Sequence, residues 1–275
     1  MLKTSIKSLA LLAALFGTGE LMAQTCNTNA WGVGLAAGQA VSGTPVPNSP
    51  TNGVSRYSGF CGLQSDAPAD FVRDGSPNDE PTYIARFYVR PAITGGTAVV
   101  FQALEDGQAT PSIAVSYTGT QLSFAARGAT TSAVTVTPGA WYSAEVNWTA
   151  GGSMTYSVQG NAETAASTGT LTGVAAGAQV DQANLGWISG GTGGMLESDA
   201  FESRRTQPIG RLCRGDANNS GGVTASDRAT VTAELSLTAL GPGQPDCNES
   251  GSVSASDRAC ITSILSLPSP PAGCI

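Results

Sequence analysis

The chain has 275 residues, with 13 lysines and arginines against 20 aspartates and glutamates, and no histidine. A formal net charge of -7 makes nucleic acid and anionic membrane poor partners. Without imidazole there is no Ser-His-Asp or Cys-His nucleophile pair and no histidine-based zinc or copper site, and the only lysines are Lys3 and Lys7, which leaves no Schiff-base lysine further along.

Lys3 and Lys7 precede an apolar run over 9–16 and then Leu21-Met22-Ala23. This is the pattern of a secretory signal peptide, residues 1–23, cleaved after Ala23. The run is too short for a permanent bilayer helix, and no later stretch qualifies as a membrane span. The expectation is therefore a secreted protein, extracellular, at the cell surface or periplasmic. All six cysteines follow the cleavage site: Cys26, Cys61, Cys213, Cys247, Cys260 and Cys274. An even number in an oxidising compartment predicts disulfides. Cys26 and Cys61 are expected to pair, which leaves three connectivities open among the other four.

Residues 24–81 are rich in Gly, Pro, Asn and Ser, and 66–81 read as loop. From residue 82 strand follows strand. In 83–89, Tyr83, Ala85, Phe87 and Val89 alternate onto one face. Strands are predicted over 98–104, 112–117, 121–126, 133–136, 141–148, 154–158, 185–188 and 195–201, separated by turn residues such as Thr118-Gly119 and Ala150-Gly151-Gly152. Trp141 and Trp148 are both assigned to the core; Trp31 and Trp187 are not placed. No helical period competes, and the fold class is mainly β, an antiparallel sandwich.

The phrases Ala85-Arg-Phe-Tyr-Val-Arg90, Pro138-Gly-Ala-Trp-Tyr-Ser-Ala-Glu-Val-Asn-Trp148 and Gly193-Gly-Met-Leu-Glu-Ser-Asp-Ala-Phe-Glu-Ser203 come in an order that resembles the laminin-G-like, concanavalin A-like jelly roll of bacterial secreted proteins. The resemblance covers about 57–205 and implies that the domain, assigned to 24–205, binds a glycan or protein on a sheet face or loop rim. Within it, Glu197, Asp199 and Glu202 match the Glu-x-Asp-x-x-Glu pattern of laminarinase-type β-glucanases. That likeness implies a nucleophile, an assisting acid and a general acid, so a glycoside hydrolase acting on polysaccharide is the alternative. Retaining hydrolysis needs two carboxyls about 5 Å apart on one face. On a regular strand Glu202 points away from Glu197 and Asp199 unless a bulge intervenes. The alternative to catalysis is a last strand with solvent-facing acids.

A short segment, 206–211, leads into 212–275; it is too short to act as a flexible spacer. Here the chain repeats itself. Asp216-Ala-Asn-Asn-Ser-Gly-Gly-Val-Thr-Ala-Ser-Asp227 is followed thirty residues on by Asp246-Cys-Asn-Glu-Ser-Gly-Ser-Val-Ser-Ala-Ser-Asp257. Ca²⁺ takes oxygens from positions 1, 3, 5, 7, 9 and 12 of a twelve-residue loop, with glycine at 6. Those positions hold Asp216, Asn218, Ser220, Gly222 (backbone carbonyl), Thr224 and Asp227 in one copy, with Gly221 at the turn. The other has Asp246, Asn248, Ser250, Ser252, Ser254 and Asp257, with Gly251 at the turn. Two Ca²⁺ sites with two carboxylates each are expected, of the weak extracellular kind. Val223 and Val253, at position 8, are expected in a small core. Apolar helical stretches follow over 229–237 and 259–267. The Asp/Asn/Ser/Gly runs alone are ordinary turn chemistry; the in-register duplication is what points to metal. Arg214-Gly215-Asp216 spells an adhesion tripeptide, but its aspartate belongs to the loop.

No helix precedes either loop: the second follows Gly241-Pro-Gly-Gln-Pro245, which cannot be helical. Loop then helix, duplicated, with Asp at position 12, resembles the type I dockerin module, a family of EF-hand-like calcium loops. The resemblance implies that Ala225, Ser226, Ala255 and Ser256, at positions 10 and 11, carry recognition of a cohesin-like protein. The combined expectation is a jelly-roll sandwich followed by a small α-helical dockerin-like calcium module. The function expected is non-catalytic binding and assembly, with a polysaccharide or a protein as partner. A structural surface protein stabilised by calcium is the further alternative.

Overall fold

The computed structural model describes residues 46–48, 56–160, 163, 165–236 and 241–267. The expected signal peptide, Trp31, Cys26 and Cys274 lie outside the described residues, as does Leu237 in the first predicted helical stretch.

Thirteen strands and two helices are described in chain order: β1 (Val46–Asn48), β2 (Gly62–Ser65), β3 (Asp70–Asp74), β4 (Thr82–Pro91), β5 (Gly95–Leu104), β6 (Ile113–Thr118), β7 (Gln121–Ala126), β8 (Ser132–Thr135), β9 (Tyr142–Thr149), β10 (Ser153–Gly160), β11 (Ser167–Thr172), β12 (Gln182–Thr192), β13 (Leu196–Arg204), α1 (Ala225–Leu235) and α2 (Ala255–Leu265). They build an antiparallel jelly-roll sandwich. One sheet runs β1-β2-β13-β4-β9-β10-β11 and the other β3-β12-β5-β6-β7-β8. The fold is thus mainly β, with two short helices at its C-terminal end.

Alternation builds the core. Tyr83, Ala85, Phe87 and Val89 of β4 turn inward as predicted, and Ala144, Val146 and Trp148 of β9 do the same. Facing side chains interdigitate: Phe87 stacks on Phe101 at 4.6 Å between centroids, and Phe124 on Tyr156 at 4.3 Å. Gly186 in β12 sits at φ +128°, and a Cβ there would press on the Asp70 carbonyl and Phe71 of β3. Glycine is what lets those strands close up at this irregular point.

Three sequence expectations need correction. First, 66–81 was expected to be loop, yet it contains β3, where Phe71 and Val72 are both buried. Second, β11 had not been predicted; its sequence Ser-Thr-Gly-Thr-Leu-Thr buries only Leu171. Third, Trp141 is not in the sandwich core. It lies seven residues from Trp148, and an odd spacing puts two strand residues on opposite faces. Trp148 is inside, whereas Trp141 joins Tyr57 and Tyr88 in a separate cluster on the outer face.

The C-terminal segment has its own small core of Ala217, Val231, Cys247, Ile261 and Ile264, with Val223 and Val253 packed against it. Both helices start earlier than the apolar pattern suggested, because Thr224 and Ser254 form capping boxes with Asp227 and Asp257. Cys247 and Cys260 form a disulfide. Cys61 and Cys213 are disulfide-bonded as well. No helix among the described residues is long and apolar enough to cross a membrane.

Candidate functional site

The duplicated loops fold alike. In the first, the Asp216 carboxylate accepts the Ser220 and Gly221 backbone N–H groups, each at 2.8 Å. The Asn218 side-chain oxygen also accepts from Ser220 N, at 3.0 Å, and the Ser220 hydroxyl lies 3.2 Å from the Gly222 carbonyl. Asp227 closes the loop, accepting from Asn218 N at 3.0 Å and Thr224 N at 2.7 Å. The second loop repeats every contact. Asp246 accepts from Ser250 N and Gly251 N at 3.0 and 2.7 Å. Asn248 accepts from Ser250 N, and Ser250 meets the Ser252 carbonyl. Asp257 accepts from Asn248 N and Ser254 N.

The backbone geometry is equally matched. Position 4 is left-handed in both copies, Asn219 at φ +56° and Glu249 at +57°, and the turn glycines stand at +88° and +94°. The residues at positions 1, 3, 5, 7 and 12 are gathered within one loop. Their donors are all oxygens, which suits a hard cation. Among the described residues no three His, Cys, Asp or Glu gather at one place; each loop brings two carboxylates and completes its set with amide, hydroxyl and carbonyl oxygen. Burial, and then the negative charge of Asp257, push Asp246 up to about 7. A desolvated carboxylate beside a like charge is an arrangement that a cation relieves. Thr224 and Ser254, at position 9, serve as helix N-caps, which directs their hydroxyls to the helix starts. Ala225, Ser226, Ala255 and Ser256 open the helices and are all exposed.

The loops differ in surroundings. Asn219, Ser220 and Gly221 are exposed. Their counterparts Glu249 and Gly251 are buried against the sandwich. Glu249 accepts a hydrogen bond from the Tyr57 hydroxyl at 2.7 Å and pairs with Arg211, and its carbonyl accepts from Trp141 N at 3.2 Å. Beside it Arg56 pairs with Glu234 of α1 at 2.8 Å, both side chains almost wholly buried, and also donates to the Gly243 carbonyl. Gly59 N donates to the Pro242 carbonyl, and Leu212 N to the Tyr88 hydroxyl at 2.8 Å. Tyr57 stacks on Tyr88 at 3.6 Å and meets Trp141 edge-on. Burial, and then the nearby Tyr88, push the Tyr57 hydroxyl well above the usual phenol range. The short segment over 206–211 is pinned to the sheet as well: Glu145 accepts from Ile209 N and Gly210 N, and Arg86 donates to the Gly210 carbonyl. Sequence reasoning missed these contact residues. One signal was available, since position 4 is where asparagine in one copy becomes glutamate in the other.

On β13 a register shift falls between Asp199 and Glu202, with Ala200 at φ +49°. This bulge sets Glu202 beside Arg86 and Glu197 beside Arg90, so the three acids share the outer face. Each is engaged there. Glu197 is buried and paired with Arg90. Asp199 accepts from Tyr57 N at 2.7 Å, Ser58 N at 2.9 Å and Ala200 N at 2.6 Å. Glu202 pairs with Arg86 at 3.2 Å and Arg204 at 2.7 Å. Burial pushes Asp199 up to about 6 against the pull of those three N–H groups. On the uncovered part of the same face a groove of about 340 Å³ is lined by Glu145, Asn147, Thr155, Tyr156, Ser157, Thr168, Gly169 and Thr170.

No protein-family model matches the chain, and no curated protein matches it in sequence. Similar solved structures include the binding domain of botulinum neurotoxin serotype D, at TM-score 0.43 and 9% identity over 60% of this chain and 42% of that one. The serotype G binding domain gives 0.39 and 9% over 61% and 43%. A family 7 alginate lyase in complex with substrate gives 0.40 and 14% over 53% and 77%. The chain spans under half the length of the neurotoxin domains it matches.

Proposed function

We propose that this chain is an exported, non-catalytic binding and assembly protein. In this reading each duplicated loop holds one Ca²⁺, the sandwich binds a polysaccharide or protein, and the dockerin-like module attaches it to a cohesin-like partner. The observation that carries the reading is the equivalence of the two loops: the same residue types repeat the same hydrogen bonds at the positions where a hard cation takes oxygen ligands. Asp216, Asn218, Ser220, the Gly222 carbonyl and Asp227 would hold one ion. Asp246, Asn248, Ser250, the Ser252 carbonyl and Asp257 would hold the other. A bound cation supplies the positive charge that the loop carboxylates lack, so metal binding and folding of the module are coupled.

On the sandwich, the hydroxyl- and amide-lined groove over β9, β10 and β11 suits the hydroxyls of a sugar chain. No observation favours the hydrolase alternative, since Glu197, Asp199 and Glu202 are each tied into the fold.

The test is calorimetric Ca²⁺ titration of the whole chain beside Asp216→Ala plus Asp246→Ala. Two sites lost together in the variant are expected. A chain that takes up no calcium and gains no stability from it would reduce the loops to turns and remove the basis for the attachment role.

A further inference from the structure

The two loops share a backbone but not an environment, and the difference centres on positions 4 and 6. Position 4 lies between the candidate ligands at positions 3 and 5 and is left-handed in both copies. Its side chain therefore leaves each loop in the same direction relative to the loop. In the first copy that side chain is the exposed Asn219. In the second it is Glu249, fully buried, reaching the Tyr57 hydroxyl and Arg211 while its carbonyl accepts from Trp141 N. A buried carboxylate is tolerable only while its donors are in place. Its donors here come from the segment joining sandwich and module (Arg211) and from the sandwich side (Tyr57).

One further contact sets the second loop against the sandwich. Gly251 lies so close to Arg90 that a Cβ would run into the guanidinium, whereas nothing stands within 4 Å of the same point at Gly221. Arg90 is itself held by Glu197 and the Gly139 carbonyl. The aim of Glu249 depends on the loop keeping its curl, and Asp246 sets that curl by accepting from Ser250 N and Gly251 N.

We propose that the second loop is a calcium-dependent clamp that holds its own side of the C-terminal module on the outer face of the seven-stranded sheet, through contacts of Glu249 and Gly251 that the first loop does not make. The inference rests on the calcium reading above. Ordering of Asp246, Asn248 and Ser250 by a cation sets Glu249 in place between Tyr57 and Arg211. Loss of the ion loosens the curl, withdraws Glu249 and frees the sheet face around Tyr57, Tyr88 and Trp141. By reciprocity, docking must strengthen the second site more than the first.

The experiment is amide hydrogen exchange on the whole chain, read at Trp141 and Leu212, whose N–H groups bond to Glu249 and to Tyr88 beside it, with calorimetry alongside. EDTA is expected to speed exchange at these two amides by about tenfold or more, leaving the β4 and β9 interiors protected. Asp246→Asn in saturating Ca²⁺ should reproduce the EDTA pattern, and Asp216→Asn should not. Glu249→Gln, which alters none of the proposed ligands, should weaken one of the two sites by about tenfold and leave the other unchanged. Two intact sites with exchange indifferent to EDTA, or equal opening by Asp216→Asn and Asp246→Asn, would overturn the clamp while sparing the calcium reading. Absence of any Ca²⁺ uptake would overturn both.

Discussion

Asp199 ties the chain that leads into β2 to the outer face of β13. Its carboxylate turns the chain between residues 57 and 58 by accepting both N–H groups. Burial raises it to about 6, above the roughly 3.9 of an unfolded aspartate. Between these values the folded chain holds more protons than the unfolded one. The stability from this group is therefore complete below pH about 4 and is lost as the pH rises through 6. Asp199→Asn removes the titration. Urea unfolding at pH 4, 5.5 and 7 should show the native chain losing about 2 kcal/mol relative to the variant as pH rises. A pH-independent difference between the two would mean that Asp199 does not carry this protonation.

At the scale of elements, legibility followed alternation of residue type. β7 buries one side and leaves the other more open, while in β4 and β9 inward apolar residues alternate with polar ones such as Arg86, Arg90, Glu145 and Asn147, so the period marks these strands even though Arg86 is itself buried. β11 is an edge strand of small polar residues, and its pairing with β10 comes from backbone bonds that composition does not signal. β3 lies within a turn-rich stretch and is held by five residues paired with β12. The loops were legible because turning and capping demand particular residues at fixed offsets. Their packing against the sandwich was not, since it depends on residues about 190 positions away, such as Tyr57 for Glu249.

The loops carry their own paired prediction. Gly221 and Gly251 have the same left-handed backbone, so alanine at either costs about 1 kcal/mol in backbone strain. Only Gly251→Ala must also displace Arg90. It should lower the unfolding midpoint of the module clearly more than Gly221→Ala does. Equal effects in thermal unfolding would mean that the second loop is not pressed against β4.

At the scale of the molecule, two cores of unequal size stand side by side. The sandwich core draws on β2 to β7 and β9 to β13, whereas among the described residues the module buries Ala217, Val231, Cys247, Ile261 and Ile264 as its apolar centre. So small a core needs staples. The Cys247–Cys260 disulfide closes a segment of 13 residues around the second loop, a constraint of about 3 kcal/mol for a loop of this order. Replacing both cysteines by serine should move the module's urea transition to lower denaturant and leave that of the sandwich where it is. A single transition moving as a whole would instead show that the two cores unfold as one.

The path of the chain between the cores has a mechanical consequence. Residues 206–211 cross the outer sheet face rather than leaving from its edge, held by Glu145 and Arg86 on interior strands. The Arg56–Glu234 pair and the Glu249 contacts bridge the same two bodies in parallel. Tension applied through the helices therefore does not fall on a slack tether. It loads these contacts together, and the 206–211 segment can straighten only after they have parted.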